Sequence, residues 1–256
     1  MTDTRPTACL LVIGDEVLSG RTRDANIQFL GTRLGELGIP LREVRVIPDD
    51  RSVIVRTVNE VRQRFTYVFT TGGIGPTHDD ITSECIAEAF GVPWVVHPEA
   101  HAEMAADYAR RDPPVEFNAA RMRMATVPEG ASLIRNAVSV APGFRIGNVF
   151  VMAGVPKVMQ AMFEAVAPTL EGGLPTVSRS IHAVGVFEGT IAEPLDAIQA
   201  ASAGVSLGSY PYYRAGGNGV AIVARGTDAA AVEAAIGKVA AMLRESGAEP
   251  VLGEPA

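Results

Sequence analysis

Thr70-Thr71-Gly72-Gly73-Ile74-Gly75-Pro76-Thr77-His78-Asp79-Asp80 is the stretch on which the reading of this chain turns. The residues before it, Thr66-Tyr67-Val68-Phe69-Thr70, are β-branched and aromatic and read as a buried strand. Those after it, from Ile81 to Gly91, place Ile81, Cys85 and Ala89 at helical spacing and end on a glycine stop. A strand, a glycine-rich turn and a helix start put exposed backbone N–H groups at the carboxyl end of a strand, where open α/β sheets bind ligands. Glycines at 72, 73 and 75 permit close backbone approach and positive φ, and successive N–H groups in such a turn form an anion nest. A helix terminus contributes only about 0.3–1 kcal/mol to an exposed anion, so the loop can orient a phosphate but not transfer it. The paired carboxylates at its mouth point to a divalent cation. Either aspartate alone could be a helix N-cap, but a helix needs only one.

Outward from this loop the chain alternates strand and helix. Ala8 to Ile13 is a continuous apolar run ending at Gly14, as in a central parallel strand. Asp24 to Leu37 follows as a helix stopped by Gly38 and Pro40, Leu41 to Ile47 as a second strand, and Asp50 as the cap of a helix buried through Ile54, Val58 and Val61. This βαβαβα order predicts a three-layer α/β/α sandwich around a mostly parallel sheet. Val46-Ile47-Pro48-Asp49-Asp50 ends at the same sheet edge, so Asp49 can face the glycine loop. Oxygen ligands from two such loops, together with phosphate oxygens, suit Mg²⁺. Gly14-Asp15-Glu16-Val17-Leu18-Ser19-Gly20 adds Asp15 and Glu16 at the first strand's end. Neither a Walker loop nor a dinucleotide fingerprint occurs in this context.

Further on, Trp94 to Val96 reads as a strand, Pro98 to Arg111 and Val115 to Met124 as helices, and Ala137–Ile146 with Asn148–Met152 as a strand pair turning at Gly147. Pro156 opens an amphipathic helix. Glu171-Gly172-Gly173-Leu174-Pro175 divides a first domain, residues 1–172, from a small α+β domain, residues 173–256. In the second, strands are expected over Ser180–Phe187, Val205–Tyr210 and Val220–Ala224, helices over Thr190–Ala201 and Thr227–Ser246, and a turn over Ala215–Gly219.

The 256 residues, 47% hydrophobic and 20% charged, are those of an ordinary globular protein. A net charge of −7 argues against a sequence-independent grip on nucleic acid. No apolar run reaches the roughly 18 residues of a membrane span, and Met1 to Thr7 lacks the apolar core of a signal peptide. The expectation is a cytoplasmic protein with Cys9 and Cys85 reduced in the core. His97 and His101 stand four apart, as metal ligands do on one helical face, but Pro98 opens the helix between them. Ser202 lacks the strand a nucleophile elbow requires. Tyr210, Tyr212 and Tyr213 could stack on a base, but are read first as a packing contact.

The loop Thr71–Thr77 with Asp79-Asp80-Ile81-Thr82, preceded by Val46-Ile47-Pro48-Asp49, resembles the molybdopterin-binding domain family, which includes MoaB, Mog and the N-terminal half of the competence/damage-inducible CinA proteins. The CinA branch is the nearer match. Its first motif is similar to Gly14–Gly20 with Asn26, and later ones to Asn136 with Ala141-Pro142-Gly143-Phe144 and to Ala153-Gly154-Val155-Pro156. The likeness covers roughly residues 8–170 and is looser beyond. It implies a Mog-like fold binding a pterin or an adenosine dinucleotide, with Asp49 and Asp80 as catalytic Mg²⁺ ligands. It also implies that Gly72, Gly73, Gly75, Thr77, Asp79, Glu16, Asn26, Pro142 and Gly143 face the ligand, in a homo-oligomer. The nicotinamide-mononucleotide deamidase domain of full-length CinA is not expected here. Asp15, Ser139-Val140, Ala153 and Val155 depart from the family pattern near the ligand.

Three functions follow. The first is Mg²⁺-dependent cleavage of an ADP-ribose-type pyrophosphate, the second adenylylation of molybdopterin in cofactor biosynthesis, and the third nucleotide or pterin binding without turnover.

Overall fold

The computed structural model describes residues 5–255, which divide into two compact units, one ending at Gly173 and the other beginning at Leu174. In chain order the first unit contains β1 (Ala8–Ile13), α1 (Asp15–Leu18), α2 (Asn26–Glu36), β2 (Leu41–Ile47), α3 (Arg51–Val61), β3 (Tyr67–Thr71), α4 (Thr82–Phe90), β4 (Trp94–Val96) and α5 (Pro98–Arg110). It continues with α6 (Ala119–Met122), β5 (Thr126–Pro128), β6 (Ser132–Ile134), β7 (Gly143–Ile146), β8 (Val149–Met152) and α7 (Pro156–Val166).

Six strands form one sheet in the order β2-β1-β3-β8-β7-β6. The four from β2 to β8 are parallel, and β7 and β6 extend them antiparallel. β1 is apolar throughout because both its faces are covered. Leu10 and Val12 pack with Leu30 and Leu34 of α2 and with Met159 and Phe163 of α7, whereas Cys9, Leu11 and Ile13 pack with Ile54 and Val58 of α3 and Ile86 of α4. These are the three expected layers. Cys9 and Cys85 are both fully buried where the sheet packs on α3 and α4. Burial pushes their thiols up to about 12 and about 11. In the first layer Phe69 stacks on Phe150 at 5.1 Å and meets Phe163 edge-on at 5.7 Å.

β1 lies between β2 and β3, so the crossover from β1 to β2 runs one way along the sheet and the next, from β2 past β1 to β3, runs the other. The gap between the carboxyl ends of β1 and β3 is therefore a topological switch point, where such sheets bind ligands.

Several local expectations are corrected. The helix expected over Val115–Met124 is one turn, Ala119–Met122, because the Asn118 side chain accepts the Arg121 N–H and starts it there. Upstream, Phe117 is stacked against Tyr108 instead of joining a helix. The strand expected from Ala137 begins only at Gly143, since the Asn136 side chain accepts N–H bonds from Val138 and Ser139 and folds that stretch into a loop. β5, pairing with β4, and β6, pairing with β7, are set by those partners and were not expected from the sequence.

The second unit contains β9 (Val177–Val184), α8 (Glu188–Ala200), β10 (Val205–Arg214), β11 (Gly217–Gly226), α9 (Ala229–Glu245) and β12 (Val251–Leu252). Its sheet is antiparallel in the order β10-β11-β9-β12, and α8 and α9 bury Ile191, Val232, Ile236 and Val239 with Ile181, Val220 and Ile222 of β9 and β11. β9 starts three residues before the expected Ser180 and ends at Val184, ahead of Gly185 at φ 78°. The turn is also tighter than expected: Gly217 and Gly219 belong to β11, leaving Ala215-Gly216 as the connection.

Replacing Phe69 by alanine removes the ring shared by three aromatic contacts, with Tyr67, Phe150 and Phe163. The expected loss is about 3–5 kcal/mol of unfolding free energy, read by urea denaturation. A loss below about 1 kcal/mol would contradict the packing described.

Candidate functional site

The site is assembled from the segments that leave the carboxyl ends of the parallel strands. β1 continues into Gly14–Thr22, β2 into Asp49, β3 into Gly72–Asp80 and β8 into Ala153–Pro156. The glycine loop is set by lack of room. A Cβ on Gly72, whose φ is 101°, would lie 2.1 Å from the Ile13 carbonyl oxygen, and one on Gly154 would lie 3.3 Å from Gly72 Cα. The ends of β1, β3 and β8 thus meet backbone to backbone. Gly72 N–H is bonded to the Met152 carbonyl and Thr82 N–H to the Gly73 carbonyl. The N–H groups of Gly73, Ile74 and Gly75 have no hydrogen-bond partner among the described residues.

Two adjoining cavities open beside this loop. One, of about 490 Å³, is mainly apolar and is lined by Ile74, Met124, Pro142, Val155, Val158 and Met162 as well as by Gly72, Gly73 and Gly75. The other, of about 370 Å³, is lined by Glu16, Asp49, Asp79 and Asp80, with Arg21 the only basic residue among them. Glu16, Thr22, Gly73 and Asp80 line both. Asp49 and Asp80, from neighbouring crossovers, therefore share one cavity.

The two aspartate pairs divide their work differently. Asp50 caps α3, accepting the Val53 N–H at 3.0 Å and the Ser52 hydroxyl at 2.7 Å. Asp49 is thereby left to the site, where it accepts the Asp15 N–H at 3.0 Å. Neither Asp79 nor Asp80 caps α4, whose N-cap is Ile81 with no side-chain bond. Instead the Asp80 carboxylate accepts from both the N–H and the hydroxyl of Thr77, and its backbone carbonyl accepts from the Arg123 guanidinium at 3.1 Å. Thr77 thus positions Asp80. Burial raises the Asp49 carboxyl above its ordinary range, and the charges of Asp15, Glu16 and Asp79 add to this against the Asp15 N–H bond.

The remaining expected residues fall in different places. Pro142 lines the cleft. Gly143 is a packing residue of β7, where a Cβ would lie 2.4 Å from the Val151 carbonyl oxygen. Asn26 is buried at the start of α2 with its amide on the Gly154 carbonyl at 2.9 Å. His78 is almost fully exposed. His97 sits at the N-cap of α5, and His101 packs on Phe117 at 5.3 Å. Among the described residues no three Asp, Glu, His or Cys side chains are grouped to hold a metal by themselves. The three tyrosines lie on β10 in the second unit, and no helix of the described residues is long and apolar enough to cross a membrane. The sequence reading missed Arg21, Thr22 and Met124. The first two directly follow the recognised Gly14–Gly20 motif, whereas Met124 sits on a 3₁₀ turn that nothing local foretells.

These features define a three-layer α/β domain with two adjoining cavities at the switch point of its sheet. The chain belongs to the molybdopterin-binding domain family: residues 9–172 match the family described as "Probable molybdopterin binding domain". Residues 175–251 match "FAD synthase, middle domain", so the second unit is similar to that domain and not to a deamidase. A protein of Archaeoglobus fulgidus is 32% identical over 202 residues, covering 79% of this chain and 84% of its own length. A CinA-like protein of Gloeobacter violaceus is 35% identical over 249 residues, covering 93% of this chain, which spans 57% of that relative. The crystal structure of CinA from Thermoplasma acidophilum, described as of unknown function, is 30% identical with a TM-score of 0.59 and covers 64% of this chain and 98% of its own.

The raised Asp49 carboxyl fixes the sign of one prediction. Because its folded-state pKa lies above the unfolded value, the ionised form costs stability at neutral pH, and that cost disappears as pH falls through the folded-state value. Asp49→Asn keeps an acceptor for the Asp15 N–H. It is expected to be more stable than the parent at pH 7, with the gap closing in acid, as read by urea unfolding across pH. A variant less stable at pH 7 would contradict the burial and neighbouring charges that raise Asp49.

Proposed function

We propose that the chain binds a phosphate-bearing nucleotide or pterin in the cleft and cleaves a pyrophosphate bond of the ADP-ribose type with Mg²⁺. The observation that carries this reading is the juxtaposition of three unpartnered loop N–H groups with a cavity shared by Asp49 and Asp80. The Gly73–Gly75 amides would orient a phosphate. The apolar cleft would take the ring system and keep water from it.

The donor set fits a hard cation. Glu16, Asp49, Asp79 and Asp80 offer oxygens only, and a cation would offset both the burial and the neighbouring negative charges that raise the Asp49 carboxyl. Mg²⁺ keeps waters and takes substrate phosphates as ligands, so the protein would supply only part of its shell. When bound, Mg²⁺ supplies electrostatic stabilisation to charge on the phosphoryl oxygens. Asp49 and Asp80 would hold it, and Thr77 would keep the Asp80 carboxylate oriented.

Family membership supports a second reading, adenylyl transfer to molybdopterin at the same site. Its distinguishing product is an adenylylated pterin formed only when ATP and pterin are both present.

Incubated with ADP-ribose and Mg²⁺, the purified chain is expected to release AMP, and Asp80→Ala to lower the rate on the order of 10²-fold, the scale of losing one charge-stabilising group. Release of AMP no faster than from Asp80→Ala removes the hydrolase reading. In a separate measurement, Mg²⁺ is expected to raise the melting temperature of the parent more than that of Asp49→Asn. Equal shifts would remove Asp49 as a metal ligand.

A further inference from the structure

A side chamber of about 50 Å³ adjoins the cleft and shares Glu16, Thr22, Gly72, Gly154 and Pro156 with it. Two side chains on its wall are buried and unsatisfied: Asn26, 2% exposed, and Thr71, 1% exposed, whose Oδ1 and Oγ1 have no partner. The orientation of the Asn26 amide is not free. Its Nδ2 donates to the Gly154 carbonyl at 2.9 Å, an acceptor that only the NH₂ end can satisfy. The oxygen is therefore the end left over, an acceptor in need of a donor.

The chamber is poorly suited to a phosphate, although it lies at the start of a helix. Asp24 already accepts the Ile27 N–H there at 2.8 Å, and Asp24 and Glu16 both line the wall. Arg23 also lines it but leaves Asn26 Oδ1 and Thr71 Oγ1 unbonded. The volume admits a group the size of one water molecule, about 30 Å³ in the liquid, and excludes a whole ring.

We propose that this chamber is a specificity subsite receiving the exocyclic amino group of a nitrogen heterocycle whose ring occupies the adjoining cleft. The inference rests on the small-molecule reading of that cleft. An amino group donates to Asn26 Oδ1 and to Thr71 Oγ1, and a ligand lacking it leaves both acceptors buried and unpaired. Sites built in this way reject the analogue that lacks the group. The wall suits an amine from a purine or from a pterin equally, so the test has two arms.

The full chain is titrated with adenine against purine, and with pterin against lumazine, in which a carbonyl replaces the amine. Asn26 side-chain and Thr71 backbone resonances are followed by NMR. In at least one pair the amine-bearing base is expected to bind at least about tenfold more tightly and to shift both resonances, and that pair identifies the heterocycle. Thr71→Val, nearly isosteric, is expected to leave the melting temperature unchanged while reducing the preference at least threefold. Equal affinities within both pairs, or no response at Asn26, overturn the proposal, as does an ordered water that stays on Asn26 Oδ1 with the base bound. Free bases carry no phosphate, so failure of pyrophosphate cleavage leaves this readout intact.

Discussion

Everything at the site depends on one steric constraint, the contact of bare backbone with bare backbone where β1, β3 and β8 end. Gly72 lies so close to the Ile13 carbonyl that no side chain fits between them, and Gly154 closes on Gly72 from the other side. That proximity brings the glycine loop level with Asp49 and Glu16 and leaves three N–H groups of the loop without partners. An alanine at 72 would set its Cβ against the Ile13 carbonyl and push the β3 loop away from β1. Binding and chain geometry are here one requirement.

The acidic residues show how the fold divides near-identical neighbours. Asp50 is consumed by the helix it starts, and this frees Asp49 to face the cavity. At the other loop the helix is left without a side-chain cap, and Asp80 is instead held by Thr77 and, through its carbonyl, by Arg123. Two carboxylates are thereby kept in one cavity, where burial, with the charges of Asp15, Glu16 and Asp79 behind it, raises Asp49. A fold selected for stability alone would have no reason to gather them. Perturbed ionisation in a cleft is a mark of functional sites.

Much of this was legible in the sequence wherever a physical pattern extended over enough residues. The apolar run Ala8–Ile13 and the stripe through Ile54, Val58 and Val61 gave strand and helix because burial on two faces or one dictates those patterns. The glycine loop and Asp49 were legible because a strand followed by glycines leaves few geometries. Three-residue strands such as β5 and β6 were not, since they are specified by pairing partners distant in sequence. Thr77 read as a phosphate ligand because of its place beside the glycines, but its hydrogen bonds to Asp80 depend on how the loop folds back. Met124 lines the cleft only through tertiary structure, and local sequence carries no trace of that, whereas Asn26 was named from its motif but not the bond to Gly154 that leaves its oxygen unsatisfied.

The two cysteines add a practical property. Cys9 on β1 and Cys85 on α4 lie in the same closed layer, with thiols that burial keeps protonated at ordinary pH. A thiolate is the reactive form, so alkylating reagents meet no nucleophile while that layer stays shut. Any labelling of this protein therefore times the opening of its first unit, and the native chain carries its own clock for unfolding without an introduced probe.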